Sequence, residues 1–503
     1  MLSSPLVVLL VGATMTVAAA SASPQQLSLA LTEVGPSEMA VTWVSLDPWS
    51  PQSRGSATYY YMPPAGQGSS VPVLPPTFPA TTSTYSAGFG WNGTLFWAVL
   101  TGLMPGATYS YVVTSNDATS TTRTFKAAPR PNASATARIA VLADMGTIEL
   151  LGFEVAAELI REHTIEPFDM TFIAGDLSYA TVDPPNFEIQ GLWDAWGQQN
   201  EPFTSTAPFM MTVGNHESSP GTMTNGTGTY AQPFAAFTSR YRMPRNGRAN
   251  YYYWYDYACA RFISINTEED LSEGSAQWTW LDATLAETDR TITPWLFVSM
   301  HRPILSSDAA EASAHVPGAP LSAALEPLLQ KYAVDVVFQV RGGLHACGLR
   351  MGGDIVAARH PRFIHACNTR LLEAVLLRRT TPAHSLTHPV DRSQGHQHVY
   401  ERSAAQFNGT VVGLPDAGGT YWAPRAPVFI VQATSGAVLD TTWITPTPAW
   451  SLVRFSEYGF GRLTLAPAAT GGNATLHYTF VNTSGFVLDS WSIIKAGVAA
   501  AVA

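Results

Sequence analysis

Five short polar segments of the chain carry residue types that bind metal ions, and four of them directly follow apolar stretches. The segments are Asp144-Met145-Gly146, Gly175-Asp176-Leu177-Ser178-Tyr179, Gly214-Asn215-His216-Glu217, His301-Arg302-Pro303 and Gly395-His396-Gln397-His398. Their carboxylate, phenol, amide and imidazole groups suit hard to borderline metal ions, and no thiolate is needed. The candidate ligands are too many for one ion, so two ions that share a bridging carboxylate are the natural arrangement. The pattern therefore predicts a two-metal centre of the kind that activates water.

The elements around these segments explain how they can meet. Apolar runs predict buried strands over residues 138–143, 169–174, 208–213, 295–300 and 334–338, and helical spacing covers residues 149–163. A strand, a helix and a second strand in this order imply a parallel or mixed sheet. Such sheets hold their ligands at the carboxyl ends of the strands, so we expect the polar segments to converge there.

The first part of the chain has a different pattern, with short strands between Pro and Gly clusters. The clearest runs cover residues 27–31, 39–45, 57–62, 108–115 and 121–126. They predict an antiparallel sandwich of fibronectin III or immunoglobulin type with Trp43 in its core. The predicted fold is thus multi-domain, with an all-β N-terminal sandwich followed by an α/β domain. This second domain is expected to be a β-sandwich of mixed sheets flanked by helices.

Composition limits the classes of function. The chain has 503 residues, 46% of them apolar and 13% charged, which is typical of a globular protein with more than one domain. A net charge of −10 argues against a nucleic-acid partner. It still permits an anionic substrate, because bound metal ions can dominate the local charge.

The N-terminus and the sequons indicate export. Residues 1–22 resemble a secretory signal peptide that ends in Ala20-Ser21-Ala22; a membrane anchor is the alternative, but the apolar stretch is short and a polar segment follows it. Three cysteines, Cys259, Cys347 and Cys367, do not form a disulfide scaffold, and Cys259 is either buried or paired between chains. Glycosylation is predicted at six N-x-S/T triplets, which begin at Asn92, Asn132, Asn225, Asn408, Asn473 and Asn482.

The order of the five polar segments resembles the purple acid phosphatases within the calcineurin-like metallophosphoesterases. Residues 38–43, 241–244, 277–281 and 458–463 resemble further landmarks of that family, so the resemblance covers most of the chain. It implies a fibronectin III-like domain over residues 24–130 and a catalytic metallophosphoesterase domain over residues 137–503. Residues 424–495 would form the family's C-terminal region.

The resemblance also implies a role for each candidate residue. Fe(III) would be bound by Asp144, Tyr179 and His398, and a divalent ion (Zn, Mn or Fe) by Asn215, His301 and His396, with Asp176 as the bridge. The implied function is that of a secreted acid phosphatase, extracellular or vacuolar, that hydrolyses small phosphate monoesters with a metal-activated hydroxide. His216 is the catalytic candidate for protonating the leaving group or holding phosphate, and its alternative role is to support a metal ligand.

Two alternative functions stay open at this point. One is a phosphodiesterase or nucleotide hydrolase on the same metals, and the other is a non-catalytic glycoprotein. No nucleic-acid or membrane partner is expected, and the oligomeric state is undetermined.

Plant members of the family carry two more histidines about nine residues past the position of His301, where this chain has Ser306-Ser307-Asp308-Ala309-Ala310-Glu311. Arg302 and His315 are the candidates to replace them.

Residues 340–394 do not fit the family pattern, because a strand like residues 334–338 there runs almost directly into Gly-His-x-His. The segment is rich in Arg and His and poor in acidic residues. Introns generally begin with GT and end with AG. The codons of the first two residues of this segment, Val-Arg, can begin with GT, and the codon of its last residue, Gln, can end with AG, so its ends agree with a translated, unspliced intron. The alternative is a genuine surface insertion at the mouth of the site, which would put His396 and His398 at risk.

Overall fold

The computed structural model describes residues 22–64, 74–87, 91–147, 151–182, 187–248, 250–309, 314–340, 398–439, 442–467 and 472–495. Residues 1–21 of the predicted signal peptide, Cys347, Cys367, His396 and nearly all of the 340–394 segment lie outside the described residues. The N-terminal module begins with β1 (Gln25–Ala30), β2 (Glu38–Ser45), β3 (Gly55–Met62), β4 (Thr77–Pro79), β5 (Thr81–Ser86), β6 (Thr94–Thr101), β7 (Thr108–Ser115), β8 (Ala118–Thr119) and β9 (Arg123–Lys126).

These strands form the predicted sandwich. One sheet has the order β4-β3-β7-β8 with β9 paired to β7, and the other contains β1-β2-β6-β5. Trp43 lies in the core between them, where its ring stacks on Phe96 at 5.3 Å and its indole N–H donates to Ser115 Oγ at 3.1 Å. A buried Trp needs such a hydrogen-bond acceptor, because an unpaired N–H in the core is costly. The sandwich predicted from the short strand runs is therefore confirmed.

The rest of the chain contains both strands and helices. Its elements are β10 (Ala137–Leu142), α1 (Gly152–Ile165), β11 (Met170–Ala174), β12 (Thr181–Val182), β13 (Phe187–Glu188), α2 (Gln190–Thr204), β14 (Phe209–Thr212), β15 (Gly221–Asn225), β16 (Gly228–Gln232), α3 (Ala235–Arg240), β17 (Tyr253–Tyr257), β18 (Ala260–Ser264), α4 (Ala276–Ala286), β19 (Trp295–Ser299), α5 (Pro320–Lys331), β20 (Val336–Gln339), β21 (Tyr400–Phe407), β22 (Thr410–Gly413), β23 (Thr420–Trp422), β24 (Val428–Gln432), β25 (Ser451–Phe455), β26 (Gly459–Ala466), β27 (Ala474–Asn482) and β28 (Val487–Lys495).

Two mixed sheets form the core of this second domain. The first has the order β14-β11-β10-β26-β27-β28-β23, and the second has β17-β18-β19-β20-β24-β21-β22 with β25 paired to β21. Aromatic rings fill the space between the sheets, as Phe172 of the first contacts Phe262 and Phe338 of the second at 5.8 and 5.1 Å. Truncating such a buried Phe to Ala costs about 3–5 kcal/mol. The predicted β-sandwich of mixed sheets is confirmed, and its α1 begins at Gly152 and ends at Ile165.

The two modules share a sheet, which the sequence did not indicate. Strand β15 of the second domain pairs antiparallel with β5, so that the β15–β16 hairpin extends the N-terminal sheet. A buried cation supports the same junction, since Arg240 donates to Tyr85 Oη at 2.7 Å and to Asp194 Oδ1 at 2.9 Å. The N-terminal module is therefore bound to the segment that directly follows Gly214-Asn215-His216-Glu217.

Glu188 is a buried carboxyl group at this junction. Its backbone N–H donates to the Ala87 carbonyl at 3.1 Å, and its Oε2 accepts from Gln190 Nε2 at 3.1 Å and Trp193 Nε1 at 2.9 Å. Burial raises the pKa of Glu188 to about 7, from an ordinary value of 4.5. A neutral Glu188 is thus favoured at acid pH, and its ionisation at neutral pH opposes folding.

We expect Glu188→Gln to change how stability depends on pH. Because the folded pKa of Glu188 is raised, its contribution is fully present below pH 4.5 and is lost as the pH rises through about 7. Relative to the variant, the wild-type free energy of unfolding should fall by on the order of 3 kcal/mol between pH 4.5 and pH 8. Urea unfolding of both proteins across this range measures the difference, and parallel pH profiles would contradict the prediction.

Two smaller features complete the fold. Of the two alternatives for Cys259, the structure shows burial. Burial raises the pKa of its thiol to about 12, so Cys259 is an unreactive core residue. Within the described part of the chain, every helix is too short or too polar to cross a bilayer.

Candidate metal centre

Three of the polar segments leave the first sheet at the same edge. Asp144, Asp176 and Asn215 follow β10, β11 and β14, which are parallel neighbours in that sheet. Backbone hydrogen bonds extend beyond the strands, as the Asp144 N–H donates to the Gly175 carbonyl at 3.2 Å and the Met145 N–H to the Asp176 carbonyl at 3.1 Å. The loops are therefore held in register, and their side chains converge as predicted.

The second sheet supplies the remaining described ligands. His301 follows β19, whereas His398 precedes β21, which runs antiparallel to β24 and so begins at the same rim. The expectation of a single sheet edge was therefore wrong in one respect: the candidate centre lies where the rims of two stacked sheets meet. Hydrophobic alternation along a strand does not tell which of two sheets the strand joins.

The backbone at this rim is strained. Asp144, Asp176 and Tyr179 have φ values of 52°, 49° and 52°, in the left-handed region that residues with a Cβ seldom adopt. Such conformations cost of order 1–3 kcal/mol each and persist where the surrounding structure enforces them, often at functional sites. Gly175 has a φ of 99°, and a Cβ there would lie 2.6 Å from His301 Nδ1, so only glycine fits.

The side chains form two adjoining groups. In the first, Tyr179 Oη lies 3.0 Å from Asp144 Oδ1 and 3.0 Å from His398 Nε2. In the second, His301 Nε2 lies 2.9 Å from Asn215 Oδ1 and 3.3 Å from Asp176 Oδ2. Ligand atoms of Asp144, Asp176 and His301 all lie within 4.8 Å of one another.

The two groups match the two ligand sets that the resemblance implied. The structure brings together Asp144, Asp176, Tyr179, Asn215, His301 and His398. The seventh predicted ligand, His396, lies outside the described residues, so its position in the second group stays a prediction.

The residues fit a pair of cations. Asp144 Oδ2 is buried and has no hydrogen-bond partner among the described residues, so a bound cation would satisfy it. His398 Nδ1 donates to the Val438 carbonyl at 2.8 Å, so its Nε2 carries the lone pair that a metal needs. Backbone carbonyls commonly orient ligand histidines in this way.

Electrostatics also favour bound cations. Burial raises the pKa of Asp144 well above its ordinary range, and burial together with the carboxylates of Asp144 and Asp176 does the same to the pKa of Tyr179. Burial lowers the pKa of His398 to about 4, whereas at His301 the effect of burial is outweighed by Asp176, which raises its pKa to about 10. Asp144, Asp176 and Tyr179 together place several acidic groups in a buried site, and bound cations would neutralise them.

His216 lies beside both groups. Its ring centroid is 4.3 Å from that of Tyr179, and its Nε2 is 3.9 Å from Asp176 Oδ2. Only 3% of its surface is exposed. A residue that acts directly on the substrate would be expected to be more open to solvent. Its predicted catalytic role is compatible with this placement.

The two candidates to replace the family's extra histidines are held by other protein groups. Arg302 is bound by Glu268, with Nη2 to Oε2 at 2.5 Å and Nε to Oε1 at 2.9 Å. His315 is buried, and its Nδ1 donates to the Pro303 carbonyl at 2.7 Å. Nothing in the geometry of these two residues shows a replacement for the missing pair.

Sequence reasoning gave no role to Glu217, although it quoted the segment that contains it. Its carboxylate accepts backbone N–H groups of two of the three ligand loops of the first sheet, those after β11 and β14, which no spacing pattern reveals. The asparagines of the predicted glycosylation sites all lie at the surface: Asn92, Asn132, Asn408 and Asn473 are exposed, and Asn225 and Asn482 are half-exposed. Their modification stays a prediction.

Comparisons with known proteins agree with the fold and the site. Family models match for the purple acid phosphatase N-terminal domain over residues 24–127, the calcineurin-like phosphoesterase over residues 137–347, and the iron/zinc purple acid phosphatase-like protein C over residues 426–490. The structure of purple acid phosphatase PPD1 from yellow lupin (Lupinus luteus) seeds matches with a TM-score of 0.68 and 21% identity, over 94% of this chain and 75% of that one.

Two curated relatives show how far the likeness extends. Probable purple acid phosphatase 20 of Arabidopsis thaliana is 29% identical over 64% of this chain and 68% of its own length. A nucleotide pyrophosphatase/phosphodiesterase of Hordeum vulgare is 25% identical over 74% of this chain and 86% of its own length.

The fold and the site together define a calcineurin-like metallophosphoesterase, with its ligand loops at the rim of two stacked mixed sheets. The N-terminal and C-terminal matches narrow this class, and the chain belongs to the purple acid phosphatase family. That family implies a phosphatase with a binuclear metal centre.

Proposed function

We propose that the protein is an acid phosphatase that hydrolyses small phosphate monoesters with an Fe(III)–M(II) centre. The single observation that carries this proposal is the convergence of six predicted ligands at one rim, with a buried Asp144 oxygen that lacks a partner among the described residues. When bound, the two ions would supply Lewis-acid activation of water and of the phosphate oxygens. Asp176 is placed to be shared, because it lies between the two groups.

The phenol of Tyr179 supports a trivalent ion on its side of the centre. Burial and two nearby carboxylates raise the pKa of Tyr179 well above its ordinary value, so a strong Lewis acid is needed to ionise it. We therefore assign Fe(III) to Asp144, Tyr179 and His398, and a divalent ion (Zn, Mn or Fe) to Asn215, His301 and His396. A visible absorption band from a tyrosinate ligand is expected.

His216 would handle the proton of the leaving group. It adjoins ligand Asn215 in the chain, and its Nε2 lies near Asp176. General acids of this kind contribute about 10²–10⁴-fold to a rate. A His216→Asn variant that binds both ions but loses kcat mainly with poor leaving groups would support the role.

Metal analysis and paired substrates test the proposed function. Purified protein should contain two ions per chain, show a visible band, and hydrolyse p-nitrophenyl phosphate faster than bis-p-nitrophenyl phosphate at acid pH. A preference for the diester would favour the second candidate, a phosphodiesterase or nucleotide hydrolase, which the likeness to the Hordeum vulgare protein supports. Protein without metal or activity would instead indicate a non-catalytic glycoprotein.

We also propose that the protein is secreted, to the cell exterior or a vacuole, after removal of residues 1–22. The surface positions of the six sequon asparagines support N-glycosylation. The expected partner is a small phosphoester, with neither nucleic acid nor membrane involved. N-terminal sequencing and a mobility shift after endoglycosidase treatment test this assignment.

The strands that flank the 340–394 segment in the chain, β20 and β21, lie on either side of β24. Gln339 pairs with Val431 of β24, and Tyr400 pairs with Gln432 of the same strand, so the two flanking strands are about 10 Å apart. The three residues before His398 can span up to about 13 Å. Gly395-His396-Gln397 are therefore long enough to connect the strands directly.

We predict that deleting residues 340–394 leaves a folded protein that binds both ions at least as tightly as the full chain. Shortening the connection lowers its closure entropy cost by about 2–3 kcal/mol. Thermal unfolding and metal titration measure the two effects, and a Gly/Ser segment of equal length in the same place is the control. A deletion variant that is unfolded, or that loses metals retained by the full chain, would show that the segment is an integral part of the protein.

A further inference from the structure

Glu217 connects two ligand loops through its carboxylate. It is fully buried at the end of the 3₁₀ turn Asn215–Glu217, two residues after ligand Asn215. Its Oε2 accepts the backbone N–H of Asp176 at 3.0 Å and that of Gly214 at 2.9 Å, and its Oε1 accepts the N–H of Leu177 at 2.8 Å. One side chain thus satisfies three backbone donors, from the loop after β11 and from the turn after β14.

The two loops are joined in both directions. The N–H of His216 donates to Asp176 Oδ1 at 2.9 Å, while the N–H of Asp176 donates to Glu217. Asp176 has a φ of 49°, which its own side chain does not favour, so the conformation needs outside support. Three backbone N–H groups that donate to one buried carboxyl group can give that support.

The contacts of Glu217 make it an unsuitable direct ligand. Both of its oxygens accept backbone N–H groups, and the metal-ligand cluster of Asp144, Asp176 and His301 does not include it. Its effect on the centre must therefore act through the loops that it connects.

We infer that Glu217 is a positioning residue that fixes the shared ligand Asp176 relative to Asn215, and that it thereby sets the affinity of the centre for both ions. This inference rests on the proposed two-metal function. Asp176 can bind the divalent ion together with Asn215 only if the distance between these two residues stays constant. Glu217 imposes that separation before any ion arrives.

Glu217→Gln tests the inference with almost no change in volume. Gln has one acceptor oxygen, so its amide N–H₂ must face at least one of the three backbone donors. Titration of the ion-free protein with Zn²⁺ or Mn²⁺ should show affinity lowered about 10–100-fold, the range found when a group that orients a ligand is lost. The same titration of the wild type provides the reference.

Glu326→Gln is the matched control. Glu326 is equally buried, on α5, where its carboxylate accepts the Asn408 backbone N–H at 2.6 Å and the Ser322 hydroxyl at 2.5 Å. It contacts none of the ligands, so this variant should lose stability but keep its metal affinity within about twofold of the wild type. An equal loss of affinity in both variants would overturn the inference.

Glu217→Asp decides the question if Glu217→Gln fails to fold. It keeps the charge but is one methylene shorter, so it cannot reach both loops at once. Weaker metal binding by Glu217→Asp supports the positioning role, and wild-type affinity in either folded variant overturns it. Absence of metal binding by the wild type would instead overturn the proposed function, which keeps the two failures distinct.

Discussion

Replacing Asp176 with Asn is expected to abolish tight binding of both metal ions and to lower kcat/KM by more than about 100-fold. Loss of a group that merely orients a ligand costs 10–100-fold, and Asp176 is itself the ligand that both ions would share. Its Oδ2 lies 3.3 Å from His301 Nε2, and its Oδ1 accepts the His216 N–H. Asn has nearly the same shape, but it is neutral and presents an N–H₂ group to the ions.

Without ions, Asp176→Asn should change the stability of the protein much less than it changes metal binding. The variant loses the repulsion between the buried Asp144 and Asp176 carboxyl groups, but it also loses the attraction of Asp176 for His301. Metal content by mass spectrometry and thermal unfolding with and without Zn²⁺ measure both effects. A gain in ion-free stability together with a loss of metals would identify a centre that is strained without its ions.

Asp194→Asn is the matched control for this experiment. Asp194 is also buried, but it pairs with Arg240 at the junction of the two modules. Breaking such a pair costs about 3–5 kcal/mol, so this variant should unfold at lower temperature while its metal content is unchanged. If Asp176→Asn retained both ions at wild-type affinity, Asp176 would not be the bridging ligand.

The second large effect is expected at Gly214. An added Cβ would overlap Asp176 Oδ1 and would lie 2.7 Å from the Asp176 nitrogen and 2.9 Å from His301 Cε1. The backbone of Gly214 is extended, with a φ of −118°, so alanine meets no conformational barrier there and the effect is purely steric. Gly214→Ala must therefore displace two ligands, and metal affinity should fall by at least about 10-fold.

Gly191→Ala provides the comparison. Gly191 lies on α2, and a Cβ at that position meets no atom within 4 Å. Alanine is the better helix former by about 1 kcal/mol, so this variant should be as stable as the wild type or slightly more so, with unchanged metal affinity. Wild-type metal affinity in Gly214→Ala would contradict the prediction. It would show that the loops around Asp176 and His301 can move to accept the added Cβ without weakening metal binding.

Local pattern was sufficient to predict most elements of the fold. The five predicted apolar runs correspond to β10, β11, β14, β19 and β20, because a strand buried on both faces needs a continuous apolar run. The strand ends differ from prediction by one or two residues, since hydrogen bonding to neighbours sets them.

Contacts between distant parts of the chain were not predictable in this way. The pairing of β15 with β5 joins residues more than a hundred positions apart, and the exposed sequence of the β15–β16 hairpin shows no pattern that indicates its partner. The ion pair of Arg302 with Glu268 and the raised pKa of Glu188 likewise depend on which side chains the fold brings together.

The sequence by itself determined the chemistry of the candidate centre. The residue types and order of Asp144, Asp176, Tyr179, Asn215 and His301 indicated a two-metal site, because ligand chemistry belongs to the side chains and strand ends are local features. Only the tertiary structure decided that two sheets share the site, that Asp144, Asp176 and Tyr179 adopt left-handed backbones, and that Glu217 connects two ligand loops. These properties arise from packing and hydrogen bonds between residues far apart in the chain, which no local pattern encodes.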